Sequence, residues 1–240
     1  MFDLTGRTAL VTGAGQNVGA GIARALAAAG ATVIVNDVVP DRADASASAI
    51  GRGALASAFD ITSAAEVAAA LATLPPVDIL VNNAGIPAEM RPTAFRSMAP
   101  EVWRHYTDLN LYGSLNCIHG VLDGMCDRGW GRIVQISSGA GQTGIAMGIS
   151  LYGASKSAIE GFIRHLSQEI ATTGVTANSI ALGLMDNVGS EAAARLVRAV
   201  PVGRLGSTAD VGAAVVYVSS PEASWLTGQT IQLNGGQITT

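Results

Sequence analysis

The sequence predicts an α/β protein: one doubly wound domain over residues 1–240, with about seven parallel strands flanked by helices. Two observations predict it. Strand-like apolar runs alternate with helical patterns along the whole chain. The runs are apolar throughout, as in strands covered on both faces, because each right-handed crossover lays a helix against the sheet. Apolar residues make up 49% of the 240, with 41 Ala, and 29 Gly permit close backbone contacts, so one sizeable core fits this length.

Arg7 to Thr12 reads as the first strand, and Val18 to Ala29 as a helix closed by Gly30. Thr32 to Asn36 is the second strand and Leu55 to Phe59 the third. Ala64 to Leu74 is an Ala-rich helix stopped by Pro75-Pro76, and Val77 to Val81 is the fourth strand. A long helix is expected from Pro100-Glu101 toward Asp123. Then come strand Arg132 to Ile136, helix Tyr152 to Thr172, strand Val175 to Ile180, helix Thr208 to Val218 and strand Thr230 to Leu233. A short helix, Glu191 to Val200, interrupts this rhythm within a segment, 184–201, that reads as a short substrate lid.

Charge excludes some functions. The 14 basic residues are scattered against 18 acidic ones, for a net charge of −4, so no basic footprint for nucleic acid exists. Met1 to Arg7 has no leader pattern, and no apolar run approaches the roughly 18 residues of a membrane span. The expectation is a soluble, cytoplasmic protein. Cys117 and Cys126, nine residues apart, lack metal-ligand spacing and read as free thiols; no metal is expected. Lys156 is the only lysine among the 14 basic residues, which hints that arginine would not serve there.

Thr12-Gly13-Ala14-Gly15-Gln16-Asn17-Val18-Gly19 joins the first strand to the first helix. Helix N-terminal amides there favour a pyrophosphate, and glycines let the backbone approach it. The same turn could be merely tight. Asp37 follows the second strand, 18 residues after Gly19, where a carboxylate accepts bonds from ribose hydroxyls and repels a 2′-phosphate. Neither Gln16 nor Asn36 supplies a cation, so NAD is favoured over NADP, with Arg42 the nearest counter-argument. Alternatively, Asp37 caps a helix starting near Pro40-Asp41.

Tyr152 and Lys156, four apart in YGASK, share one helix face, where an ammonium favours tyrosinate and proton transfer. On spacing alone, an exposed pair on a helix surface is the better reading. Ser137 and Ser138 follow a strand end, where ligands bind in open α/β sheets, and a hydroxyl there can polarise a carbonyl. Asn110 falls mid-helix, which suits Asn only if its side chain has a local task, distorts the helix or is a satisfied core amide. His105, His119 and His165 lack acid or nucleophile partners at useful spacing, which leaves a hydrolase unsupported.

These residues resemble the short-chain dehydrogenases/reductases over essentially the whole chain. TGAGQNVG matches that family's cofactor loop, Asn82-Asn83-Ala84-Gly85 its NNAG motif and Tyr152 to Lys156 its YxxxK. Gly203 to Gly206, Leu226 to Gln229 and Asn234 to Gly236 resemble its closing segments. The resemblance implies a Rossmann-like sheet of order 3-2-1-4-5-6-7 and a catalytic tetrad of Asn110, Ser138, Tyr152 and Lys156. Tyr152 would be the general acid/base, Ser138 would hold the substrate oxygen, Lys156 would lower the tyrosine pKa and bind the nicotinamide ribose, and Asn110 would anchor a relay water. Asp60-Ile61 would sit at the adenine, Asn83-Ala84-Gly85 would support the adenosine side, and Gly183, Met185 and Asn187 would approach the nicotinamide.

The chain departs from that pattern at Asn17, where a loop glycine is usual, and at Leu182-Gly183 in place of Pro-Gly. Asn187 replaces a threonine, and the segment 183–201 is abbreviated. Asn is the non-glycine residue that best tolerates a left-handed backbone. Ile145, Met147, Ile149, Leu182, Leu184 and Met185 suggest a neutral, apolar substrate, with Arg91 and Arg96 the nearest cations. The expected activity is NAD-dependent interconversion of a secondary alcohol and a ketone. A 3-oxoacyl thioester reductase is the alternative in class, and a non-catalytic nucleotide sensor the alternative outside it. The resemblance also implies a homotetramer.

Overall fold

The computed structural model describes residues 1–86, 90–186 and 196–239. Seven parallel strands form one sheet of order β3-β2-β1-β4-β5-β6-β7, as expected. They are β1 Thr8–Val11, β2 Thr32–Asp37, β3 Leu55–Ala58, β4 Ile79–Asn82, β5 Gly131–Ser138, β6 Val175–Leu182 and β7 Thr230–Leu233. The helices are α1 Asn17–Ala28, α2 Pro40–Ile50, α3 Ala64–Leu71, α4 Trp103–Thr107, α5 Gly113–Asp127, α6 Ser150–Glu169 and α7 Thr208–Ser219.

Successive strand side chains go to opposite faces, and each face finds its own helices. Ala9 and Val11 pack with Ile22 and Leu26 of α1 and Val211 and Val215 of α7. Leu10 and Leu80 pack on the other face with Ile118 and Met125 of α5 and Ile163 of α6. On the first face α1 and α7 approach closely because both present glycine. A Cβ on Gly21 would lie 2.4 Å from the Thr208 Cβ, and one on Gly212 would lie 2.7 Å from the Ala25 Cβ.

The expected long helix is broken. Asp108–Tyr112 is a π-helical turn between α4 and α5. The cause is Asn110, whose side-chain amide donates to the Tyr106 carbonyl at 3.1 Å, the acceptor an α-helix would give to its own backbone N–H. β5 and β6 run two residues beyond their expected ends, so Ser137 and Ser138 are its last strand residues rather than loop. Of the expected helix Glu191 to Val200, residues 191–195 lie outside the described residues, and Val197–Ala199 is a 3-10 turn.

Candidate active site

β1 lies between β2 and β4, so the chain leaves its two central strands in opposite directions and a crevice opens at their carboxyl ends. The two loops there are laced together. The Thr12 hydroxyl accepts from the backbone N–H groups of Asn83 at 3.0 Å and Ala84 at 3.2 Å. The Asn83 side chain returns bonds to the carbonyls of Thr12 at 2.9 Å and Gly13 at 3.1 Å. Gly19 completes the joint, since a Cβ there would fall 2.3 Å from the Gly13 carbonyl oxygen. Asn17 opens α1 at φ 48, the left-handed backbone its side chain tolerates, and Gln16 before it is extended and exposed. Val18 turns inward against the core.

Asp37 ends β2, buried, and its carboxylate faces the same loop. It accepts from the Gly15 N–H at 3.2 Å and the Val39 N–H at 3.0 Å. The capping alternative is therefore not what forms: the N-cap of α2 is Val39, with no side-chain cap. Gly15 must lack a side chain, because a Cβ would sit 2.5 Å from Asp37 Oδ2. Asp60 holds the turn after β3 by accepting from Thr62, and Ile61 is buried, its carbonyl bonded by Asn116 of α5.

At the ends of β4 and β5 four predicted side chains meet. Lys156, 2% exposed, donates from Nζ to the Ile136 carbonyl at 2.9 Å and lies 5.8 Å from the Tyr152 ring centre. A Cβ on Gly85 would be 2.5 Å from that Nζ and 2.6 Å from Asn110 Oδ1, so both polar ends converge on the backbone of Gly85. Asn110 Oδ1 is buried without a hydrogen-bond partner. Ser138 Oγ accepts from the Ala140 N–H at 3.2 Å and hydrogen-bonds the Tyr152 phenol.

Burial dominates the electrostatics. It raises the Tyr152 phenol above its usual range, with the Ser138 bond opposing. It pushes the Lys156 ammonium down to about 8, with the charge of Glu160 opposing. Burial and Ser138, rather than the lysine expected to lower it, set the direction of the Tyr152 shift.

The apolar residues expected around a substrate do not close into one pocket. Ile145 and Ile149 line a cavity of about 420 Å³ with Gln142, Thr143 and Ser157, while Met147 is 51% exposed. Leu184 and Met185 lie along the strand end beyond β6, paired with Gly206 through the Gly206 N–H to Leu184 carbonyl bond of 2.9 Å. Met185 packs on the core rather than standing free. Gly183 is fixed because a Cβ there would lie 2.5 Å from Gln237 Oε1, which accepts from the Leu184 N–H at 3.0 Å. Asn187 and half of the expected lid, residues 187–195, lie outside the described residues. No cluster of metal-ligating side chains occurs among the described residues, and no described helix is long and apolar enough to cross a membrane.

Reading the sequence missed Glu160, Gln142 and Gln237. Glu160 carried a signal: an acid four residues after the only lysine, on the helix face that also carries Ile159 and Ile163. Gln237 and Gln142 act through contacts 53 and 90 residues away in sequence, which local pattern does not reveal.

The comparisons agree with this geometry. The family model described as short chain dehydrogenase matches residues 7–196. An acetoacetyl-CoA reductase of Rhizobium meliloti is 41% identical over 241 residues, covering 96% of this chain and 98% of that protein. A 3-oxoacyl-[acyl-carrier-protein] reductase of Vibrio harveyi is 35% identical, covering 98% of each. Among solved structures, a 3-oxoacyl-[acyl-carrier protein] reductase with bound NAD from Brucella melitensis superposes with a TM-score of 0.92 at 33% identity, covering 99% of this chain and 94% of that one. A gluconate 5-dehydrogenase from Burkholderia cenocepacia in complex with NADP and tartrate gives a TM-score of 0.91 at 31% identity, covering 98% and 96%. With its motifs at the carboxyl ends of one seven-stranded parallel sheet and these matches along its length, the chain belongs to the short-chain dehydrogenase family of oxidoreductases.

Proposed function

We propose that this protein interconverts a 3-oxoacyl thioester and the corresponding 3-hydroxyacyl thioester with NAD(H). The observation that carries the chemistry is the meeting of Ser138, Tyr152, Lys156 and Asn110 beside Gly85. The thioester narrows the expected ketone and secondary alcohol pair, and its support is the activity named for the acetoacetyl-CoA and 3-oxoacyl reductases above.

The loops fit a dinucleotide. Gly15 and Gly19 leave no room for a side chain where a pyrophosphate would approach the start of α1, and Asn110 Oδ1 is an unused buried acceptor. Thr12, Gly13, Gln16, Asn17 and Val18 would frame the phosphates, Asp37 the adenosine ribose, and Asp60 and Ile61 the adenine. Asn83, Ala84 and Gly85 would line the crevice, and Gly183, Met185 and Asn187 its nicotinamide end. The carboxylate of Asp37 opposes a 2′-phosphate, which favours NAD. When bound, the cofactor supplies or accepts a hydride at its nicotinamide.

The chain's own residues handle the proton. Ser138 donates to the substrate oxygen, and Tyr152 protonates the developing alkoxide during reduction and takes the proton back during oxidation. Lys156 holds a positive charge beside the phenol and favours the tyrosinate. Oxidation of reduced nicotinamide in the presence of acetoacetyl-CoA and a panel of simple ketones tests the reading. The thioester is expected to have the highest kcat/KM, and Tyr152→Phe to cut turnover at least about 10²-fold while retaining NADH binding. Binding of NADH with no turnover of any of them would favour a nucleotide sensor.

A further inference from the structure

We propose that Glu160 is a positioning residue of the catalytic pair: its carboxylate, one helical turn beyond Lys156, keeps the ammonium charged and ties the end of β5 that bears Ser138, with the turn after it, to the helix bearing Tyr152. Glu160 is 1% exposed, an uncommon place for an acid unless it is held. Both of its oxygens accept. Ser137, in β5, donates to Oε1, and Gln142, in the turn after β5, donates to Oε2. Burial raises this carboxyl above its usual range, and the bonds accepted at both oxygens, with the charges of Arg164 and Lys156, oppose that and favour the anion.

The spacing of four residues puts Glu160 and Lys156 on the same buried face of α6. Gly141 shows how tightly the turn is drawn against that face, since a Cβ there would sit 3.1 Å from both Glu160 Oε1 and Lys156 Cβ. The network then continues away from the helix. Gln232 of β7 donates to Gln142 Oε1 at 3.2 Å, and Asn234 donates to Gln232 Oε1 at 3.3 Å and to the Ile238 carbonyl at 3.1 Å. One buried acid therefore anchors a polar chain that runs from α6 to the segment bracing Gly183 and Leu184.

The groups facing this acid are few. Lys156 and Arg164 on its own helix are charged, and Ser137 from β5 and Gln142 from the turn are neutral. Around Lys156, the π-helical turn presents the neutral Asn110 amide and β5 the Ile136 carbonyl. Burial favours neutral lysine, and Glu160 is the charge that opposes it. With the phenol raised by burial, the ammonium is already the first of the pair to give up its proton, and without the Glu160 charge it does so at still lower pH. The pair then titrates at lower pH with less of the productive tyrosinate–ammonium form.

The solitary lysine makes the test direct. Protein carrying ¹⁵Nζ-lysine has one side-chain ammonium nitrogen, and its resonance is titrated in the unaltered chain, in Glu160→Gln and in Glu160→Asp. The midpoint is expected to fall by about one unit in Glu160→Gln, and by less in Glu160→Asp, which keeps the charge one methylene farther away. An unchanged midpoint in a folded Glu160→Gln overturns the proposal. Should that variant not fold, an unchanged midpoint in Glu160→Asp overturns it. A merely structural glutamate would lower the melting temperature and leave the midpoint alone. In kinetics, which rest on the proposed dehydrogenase reading, Glu160→Gln is expected to lower the plateau kcat for alcohol oxidation and displace its pH profile downward, with Glu160→Asp restoring part of both. The resonance needs no turnover, so its failure is distinct from failure of the assigned activity.

Discussion

Replacing Gly85 by alanine adds one methyl group at the point where the catalytic side chains converge. An alanine Cβ would lie 2.5 Å from Lys156 Nζ and 2.6 Å from Asn110 Oδ1, whereas ordinary contact begins at 3.4 Å. Each group must therefore retreat by about 0.8–0.9 Å. A lysine end on the surface would swing aside at little cost. This one is buried and bonded to the Ile136 carbonyl at 2.9 Å, so retreat stretches or breaks a bond to a charged donor, worth about 1.5–3 kcal/mol. Misplacement of catalytic groups by about 1 Å costs on the order of 10² in rate. Gly85→Ala is thus expected to lose about 10²-fold in kcat and up to about 3 kcal/mol in urea unfolding. Gly161→Ala on α6 is the control. Its Cβ meets nothing nearer than Arg164 Nη2 at 3.7 Å, so the same chemical change should stabilise the helix by about 0.5–1 kcal/mol and leave kcat unchanged. A Gly85→Ala enzyme with kcat within about threefold of the unaltered protein would refute the assignment of this junction as the reacting centre.

Asp37→Ser combined with Val38→Arg at the exposed neighbouring position should shift preference toward NADPH by about 1–3 kcal/mol, read as the ratio of kcat/KM for the two cofactors, and equal use of both by the unaltered chain would sink the Asp37 assignment. Cys117 is fully buried and burial pushes its thiol up to about 12, so a thiol reagent at pH 8 should modify Cys126 in the native protein and reach Cys117 only on unfolding; two fast thiols would contradict this. Asp210 closes a capping box at the start of α7 with Ser207 and is gripped by both Arg204 terminal nitrogens at 2.7 and 2.8 Å, which holds its carboxyl well below the usual 3.8. Because the folded carboxyl is the stronger acid, its stabilisation is complete above pH 3.8 and fades as pH falls below it. Asp210→Asn should cost about 1 kcal/mol at pH 7, with the deficit narrowing in acid; a deficit that is constant with pH would rule out the charge as its source.

Much of the candidate site was legible because it is written locally. The Gly-rich turn, Asp37 and the Tyr152 to Lys156 spacing each sit within one strand–helix unit, where period and loop chemistry decide what a residue faces. The seven strands were legible for the same reason, since doubly covered strands are apolar along their whole length. Element ends were less so. Ser137 and Ser138 stay in β5 because β6 continues beside them to Leu182, and that pairing partner lies 44 residues on in sequence.

What the sequence by itself determined was therefore the fold class, and it singled out Asn110, Ser138, Tyr152 and Lys156 as the candidates for the chemistry. Tertiary structure alone decided how they meet. Asn110 breaks its helix because its amide takes the Tyr106 carbonyl, and only the folded sheet then brings its free oxygen and Lys156 Nζ together at one Gly85 backbone position. Glu160 reads in sequence as a polar residue on a helix, yet Ser137 from a neighbouring strand and Gln142 from the turn bury and hold it. The physical reason is range. Periodicity reports which face a residue occupies, whereas charge state and hydrogen-bond partners in a buried site depend on groups that only the completed sheet and its crossovers bring within a few ångströms.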